Sequence, residues 1–174
     1  MTDRTPTRTK NLDGYGNDAL PWSRAHDELA KGPTSSDITH FLGTAGPDSR
    51  PHVAGVGAAW LDGDFYFTSN LNARKARNLI ANPACTIAVK LAGIDLTFFG
   101  TAARVSDAAT LAKLAAIYRE GGWPAEVAGD ALTAPFSAPS AGPSPWHVFR
   151  FTFDRVVGVA GAEPFGATLW EFAR

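Results

Sequence analysis

A run of hydroxyl and amide side chains, Thr68-Ser69-Asn70-Leu71-Asn72, leads directly into Ala73-Arg74-Lys75-Ala76-Arg77-Asn78. If the second segment is helical, Arg74 and Lys75 fall in its first turn, where backbone N–H groups are free and the helix dipole is already positive. Cations at that end are mildly destabilising unless an anion offsets them. A strand ending in Thr-Ser, a short polar loop and a helix opening on Arg-Lys thus has the makings of a phosphate site, Arg supplying a two-pronged fork and Lys a point charge. The same residues also fit an ordinary solvated helix face, and spacing alone leaves both readings open. Charge distribution adds weight to the segment: from Phe65 to Ile94 there is no Asp or Glu, while Arg74, Lys75, Arg77 and Lys90 are all cationic.

Other reactive side chains form weaker patterns. The four histidines, His26, His40, His52 and His147, show no i,i+4 pairing and no cysteine partner, so no metal site is expected. His52 and His147 lie closest to the expected strands and are candidate proton donors, although strand-edge histidines are commonly structural. Cys85 follows Pro83 at the start of a strand and reads as a small buried hydrophobe. Trp60, Trp146 and Trp170 suit either stacking on a ligand ring or packing.

The whole chain narrows the partners. Its 174 residues suit one domain, and 16 Lys plus Arg against 17 Asp plus Glu give a net charge of -1, which excludes the electrostatic footprint of a general nucleic-acid binder and of a basic membrane-surface helix. Charged residues are 19% and hydrophobic ones 45%, a balance that suits burial of extra surface by dimerisation or around a ligand. One cysteine permits no internal disulfide, and no apolar run has the length of a signal peptide core or a membrane span. A cytoplasmic location is expected.

These residues must be positioned by the surrounding elements. Residues 1–20 are expected to form a flexible, irregular arm before a domain spanning 21–174. A short helix follows, from about Trp22 to Lys31, with Ser23 as N-cap and Gly32-Pro33 as its stop. Strands are expected at Thr39–Thr44, His52–Leu61 and Phe65–Ser69, the last two joined across Asp62-Gly63. A helix over 73–81, with Ala73, Ala76, Leu79 and Ile80 docking and Arg74, Lys75, Arg77 and Asn78 exposed, precedes strands at Ala84–Leu91 and Leu96–Val105. Ser106 caps a longer helix to about Arg119, striped by Ala108, Leu111, Ala112, Ala115 and Tyr118. Residues 133–145, with Pro135, Pro139, Pro143 and Pro145, read as a long loop and a candidate lid. Strands resume at Trp146–Phe153, Val156–Ala160 and Thr168–Phe172. Hairpin-linked strands with a few short helices predict a mainly β, closed or nearly closed antiparallel barrel of about six strands.

The order Ser49-Arg50-Pro51-His52-Val53, then Ala59-Trp60-Leu61-Asp62-Gly63-Asp64-Phe65-Tyr66-Phe67-Thr68, then Ala73-Arg74-Lys75-Ala76-Arg77-Asn78-Leu79 with Asn82-Pro83, resembles the pyridoxamine 5'-phosphate oxidase-like split-barrel superfamily. Within it the likeness is to the flavin/deazaflavin oxidoreductase group, from about Thr39 to Val105 and again in the tail around Trp170. The resemblance implies a six-stranded split barrel forming a homodimer, with FMN or the deazaflavin F420 in a groove between subunits. By position, Thr68 and Ser69 would contact the phosphate or ribityl end, Arg74 and Lys75 would hold the phosphate, Val56, Gly57 and Ala58 would run beside the ring, and Gly100 and Thr101 would line the groove. Gly100 also fits a bulge. The chain lacks a counterpart of the paired Arg and His near the C-terminus with which true pyridoxamine phosphate oxidases hold substrate, and Leu169 and Glu171 stand where many relatives carry Arg.

Three readings follow. The leading one is an FMN- or F420-dependent oxidoreductase that moves a hydride to or from a small organic substrate. The second is a cofactor-binding or carrier protein on the same barrel, without turnover. The third is an empty barrel whose basic face meets a different anionic partner.

Overall fold

The computed structural model describes residues 4–31 and 39–173. Its elements run β1 (Arg8–Asn11), α1 (Trp22–Ala30), β2 (His40–Ala45), β3 (Pro51–Val56), β4 (Ala58–Leu61), β5 (Asp64–Ser69), α2 (Arg74–Ala81), β6 (Ala84–Leu91), β7 (Ile94–Val105), α3 (Ala108–Glu120), β8 (Glu126–Ala128), β9 (Ala131–Thr133), β10 (His147–Ala160) and β11 (Ala167–Glu171). The Gly32-Pro33 stop lies outside the described residues.

All pairings are antiparallel. The main path is β1-β11-β10-β7-β6-β2-β3, and β10 also pairs with β5, which pairs with β4. The run expected as one strand, His52–Leu61, changes partner at Gly57. On one side Val56 lies opposite His40 of β2, and on the other Ala58 lies opposite Phe67 of β5. With β3 and β4 counted as that single run, the ring β2, β3–β4, β5, β10, β7 and β6 has the six strands expected, β11 and β1 extend the sheet beyond β10, and Gly57 marks the split.

Alternation explains the two cores. Along β5, Phe65 and Phe67 enter the barrel, where they join Leu42, Ile87, Phe98, Phe149, Phe151, Phe153 and Trp170, while Tyr66 faces the other way. There Tyr66 meets Leu111, Leu114, Ala115 and Tyr118 of α3, with Leu132 and Val148. Fully burying each large aliphatic side chain contributes about 1.5–3 kcal/mol relative to leaving it exposed. Burial on both faces therefore fixes β5 and the turn that follows it.

Several local expectations are corrected. Residues 8–11 are not irregular: they pair with β11 from Arg8 opposite Glu171 to Asn11 opposite Thr168, as an exposed edge strand without an apolar period to reveal it. The two strands expected at 146–160 are one, carried through a bulge between Phe153 and Arg155. The cap of α3 is Asp107, whose carboxylate accepts from the Thr110 amide at 2.8 Å, and Ala108 and Ala112 are exposed while Leu114 is buried. Ser23 is not the cap of α1, since Pro21 holds that position.

Candidate functional site

The loop before α2 is built by its own side chains. Asn70 Oδ1 accepts from the Asn72 amide at 2.8 Å, its carbonyl accepts from the Ala73 amide at 3.0 Å, and the Ser69 hydroxyl donates to the same carbonyl at 3.1 Å. The chain then enters α2 with no acidic residue in the first turn and no side-chain cap. Ala76 and Leu79 dock against the barrel core, as expected. Ile80, expected to dock, is 67% exposed, and Asn78, expected on the polar face, is buried. The i,i+3 pair Lys75 and Asn78 instead turns toward β2 and β3, leaving Arg74 and Arg77 outward.

That rotation ties the helix to the sheet. Asn78 Nδ2 donates to Thr44 Oγ1 at 3.0 Å, and Thr44 Oγ1 lies 3.5 Å from His52 Nδ1 and 3.4 Å from the His52 carbonyl. His52 is held below the ordinary histidine range by desolvation first and then by the charges of Arg74 and Lys75. Partial burial lowers the Lys75 ammonium as well. Among the described residues neither Arg74 nor Lys75 has an ion pair or side-chain hydrogen bond. Three basic side chains thus share one region, and among the described residues no carboxylate is paired with Arg74 or Lys75. Sequence reasoning nominated His52 only as a proton donor; its place beside Arg74 and Lys75 depends on the β2–β3 register, which sequence spacing does not reveal.

The split supplies the second part of the arrangement. Val56, Gly57 and Ala58 run past the end of β5, where Thr68 and Ser69 follow Phe67. Thr68 is half-buried, while Ser69 is buried with its hydroxyl engaged by Asn70. A Cβ built on Gly57 would meet nothing within 4 Å, so a flat ligand can approach this backbone closely. The Gly57 carbonyl accepts from the Tyr118 hydroxyl at 3.3 Å.

Gly100 and Thr101 stand apart from that cluster. They line a groove of 830 Å³ on the outer face of β3, β2, β6, β7 and β10, together with His52, Thr44, Thr86 and Arg155. The Arg155 guanidinium lies 4.6 Å from the centre of the Phe99 ring on the groove wall. A Cβ on Gly100 would stand 2.1 Å from the Thr152 carbonyl oxygen, so the bulged β10 requires glycine there. His52 joins the groove to the basic end of α2.

The remaining candidates lie away from the basic end of α2 or in the core. Cys85 is buried and its thiol is pushed up to about 12 by desolvation, which leaves it protonated and unreactive near neutrality. Trp170 is fully buried, with its indole donating to the Leu20 carbonyl at 3.2 Å. Trp60 packs edge-on against Phe65, and Trp146 against Trp123. His147 lies opposite Ser69, with Nδ1 3.8 Å from Asp130 Oδ1. Among the described residues no group of three or more His, Cys, Asp or Glu is placed to hold a metal, and no helix is long and apolar enough to cross a membrane.

The Pro-rich segment leaves and returns at one point. Leu132 and Trp146 exchange backbone hydrogen bonds of 2.9 and 2.8 Å, closing residues 133–145 into a loop. Two side chains hold it: Asn70 Nδ2 donates to the Pro143 carbonyl at 2.8 Å, and Trp123 Nε1 to the Phe136 carbonyl at 2.6 Å. The first anchor comes from the loop that leads into α2.

Solved structures reproduce the fold. A pyridoxamine 5'-phosphate oxidase-related, FMN-binding protein from Nostoc punctiforme PCC 73102 is similar at TM-score 0.57 and 17% identity, over 87% of this chain and 91% of that one. An F420 reductase is similar at TM-score 0.53 and 22% identity, over 75% of this chain and 94% of that one. A heme binding protein from Mycobacterium smegmatis is similar at TM-score 0.57 and 20% identity, over 80% of this chain and 56% of that one. None of the curated proteins matches the chain. The family model described as pyridoxamine 5'-phosphate oxidase matches residues 26–160, which carry the barrel from β2 through β10, the split at Gly57 and the basic turn of α2, and the chain belongs to that family.

Proposed function

We propose that the chain is an FMN- or F420-dependent oxidoreductase that transfers a hydride to or from a small organic substrate, acting as a homodimer with the cofactor between subunits. The observation that carries this reading is the uncompensated basic cluster: Arg74 and Lys75 open α2 without an acidic partner, and His52 lies within reach of their charges. A buried or half-buried cation with no counterion calls for an anionic ligand, and the open backbone at Gly57 accepts a flat ring. The residues present therefore fit a phosphorylated tricyclic cofactor.

In this reading Arg74 and Lys75 hold the phosphate, with Thr68 and Ser69 at the phosphate or ribityl end. Val56, Gly57 and Ala58 present backbone to the ring, and Gly100 and Thr101 line the adjoining groove. Bound FMN or F420 supplies the hydride chemistry, so the protein contributes position, electrostatics and exclusion of water. Residues 133–145, held to the α2 loop through Asn70, act as a lid on the substrate side. A second copy covers the outer sheet face, where Phe41 and Val53 are 50% and 63% exposed.

Absorbance of the purified protein after separate incubation with FMN and F420 tests the reading. A retained flavin or deazaflavin band, bleached by a nicotinamide donor and restored by an acceptor, is the expected result. A retained band that no donor bleaches and no acceptor restores would establish a carrier instead. Absence of both bands would leave neither reading standing.

A further inference from the structure

The crossover at Gly57 is held from outside the barrel. Val56 still pairs with β2 and Ala58 already pairs with β5, so Gly57 belongs to neither ladder. Its carbonyl accepts from the Tyr118 hydroxyl at 3.3 Å, and the same hydroxyl lies 3.2 Å from the Tyr66 carbonyl. Tyr118 is 6% exposed and is fixed in direction by α3, where it packs with Leu114 and Leu111 and meets Trp123 edge-on at 5.2 Å between ring centres. A trans peptide is planar, so fixing the Gly57 carbonyl also fixes the Ala58 N–H, which points the opposite way. Among the described residues β4 pairs only with β5, and no strand lies along its other edge.

We propose that Tyr118 is a positioning residue for the cofactor: its hydroxyl clamps the Gly57–Ala58 peptide so that the backbone beside the ring is set before the ligand arrives. This rests on the proposed flavin or deazaflavin site. A glycine flanked by two different ladders is otherwise free to rotate its peptide, and a misoriented peptide presents a carbonyl where the ring needs a donor. The hydroxyl is bonded to the Gly57 carbonyl, so it acts on the ligand through the peptide.

Tyr118→Phe removes the hydroxyl and keeps the ring in its packing. Leu114→Ala serves as the control, since it opens a cavity in the same cluster and leaves the hydroxyl in place. The readouts are cofactor Kd, the visible spectrum of the bound cofactor, and thermal midpoint, each with FMN and with F420. The proposal expects Tyr118→Phe to weaken binding at least about fivefold and to shift the bound spectrum, which corresponds to the loss of roughly one hydrogen bond. Leu114→Ala is expected to lower the midpoint further yet bind nearly as wild type does. In the wild-type protein, the Ala58 amide resonance should move on cofactor addition, a readout that needs no variant to fold. Unchanged Kd and spectrum in Tyr118→Phe, equal weakening in Leu114→Ala, or a static Ala58 amide would each overturn the proposal while leaving the cofactor site standing. A wild-type protein that binds neither cofactor overturns both.

Discussion

Asn78 Nδ2 lies 3.0 Å from Thr44 Oγ1, and this contact joins the helix that carries Arg74 and Lys75 to the hairpin that carries His52. Both side chains are buried, at 4% and 5% exposure, so the hydrogen bond is formed away from water. It ties the face of α2 that carries Asn78 and the half-buried Lys75 to β2, while Ile80 is 67% exposed.

Replacing Asn78 by Leu removes the donor while keeping the volume. The expected cost is about 1–3 kcal/mol, since a buried polar partner is left without its bond. Urea unfolding of wild type and Asn78→Leu measures it. A stability difference within error would mean that apolar packing of Ala76 and Leu79 alone sets the helix.

His40 gives the protein an acid sensitivity. Its ring is buried edge-on to Phe65 with Nδ1 unpartnered, and desolvation lowers its pKa from 6.5 to about 4. The unfolded chain therefore takes up a proton that the native state refuses. The contribution is complete above pH 6.5 and is lost as pH falls toward 4, to a total of about 3 kcal/mol. His40→Phe should flatten that part of the stability profile in urea titrations between pH 7 and 4.5. An unchanged profile would contradict the assignment.

The anchor of the 133–145 loop is separately testable. Asn70→Ala removes the donor to the Pro143 carbonyl, while Trp123 still holds Phe136. One hydrogen bond of about 1 kcal/mol corresponds to roughly fivefold faster local opening. Hydrogen exchange in residues 137–145 should rise by that factor, with exchange at β9 unaffected. Equal exchange in wild type and variant would show that the loop is held elsewhere.

Much of this architecture was legible from pattern. The strand-like run Phe65–Ser69, the Asp62-Gly63 turn and the acid-free stretch around α2 are local signals, and they placed β5, its hairpin and the basic turn. What escaped was set by partners distant in sequence. Gly57 looks like an interior strand residue until β2 and β5 are known to claim its two neighbours. Asn78 reads as surface because its acceptor, Thr44, lies in another hairpin. The strand at 8–11 has no buried residue, and only pairing with β11 defines it. Gly100 carries two reasons at once, groove lining and the close approach of Thr152, and sequence alone could not separate them.

The central claim is that Arg74 and Lys75 hold the phosphate of a tricyclic redox cofactor. Its most direct test is a titration of wild type and Lys75→Glu with FMN and with F420, at low and moderate salt. Lys75→Glu should weaken the preferred cofactor at least about tenfold, as expected for loss of a charge-assisted contact, and wild-type affinity should fall as salt screens it. Binding of both cofactors that is indifferent to Lys75→Glu and to salt, or no binding of either by wild type, would contradict the account.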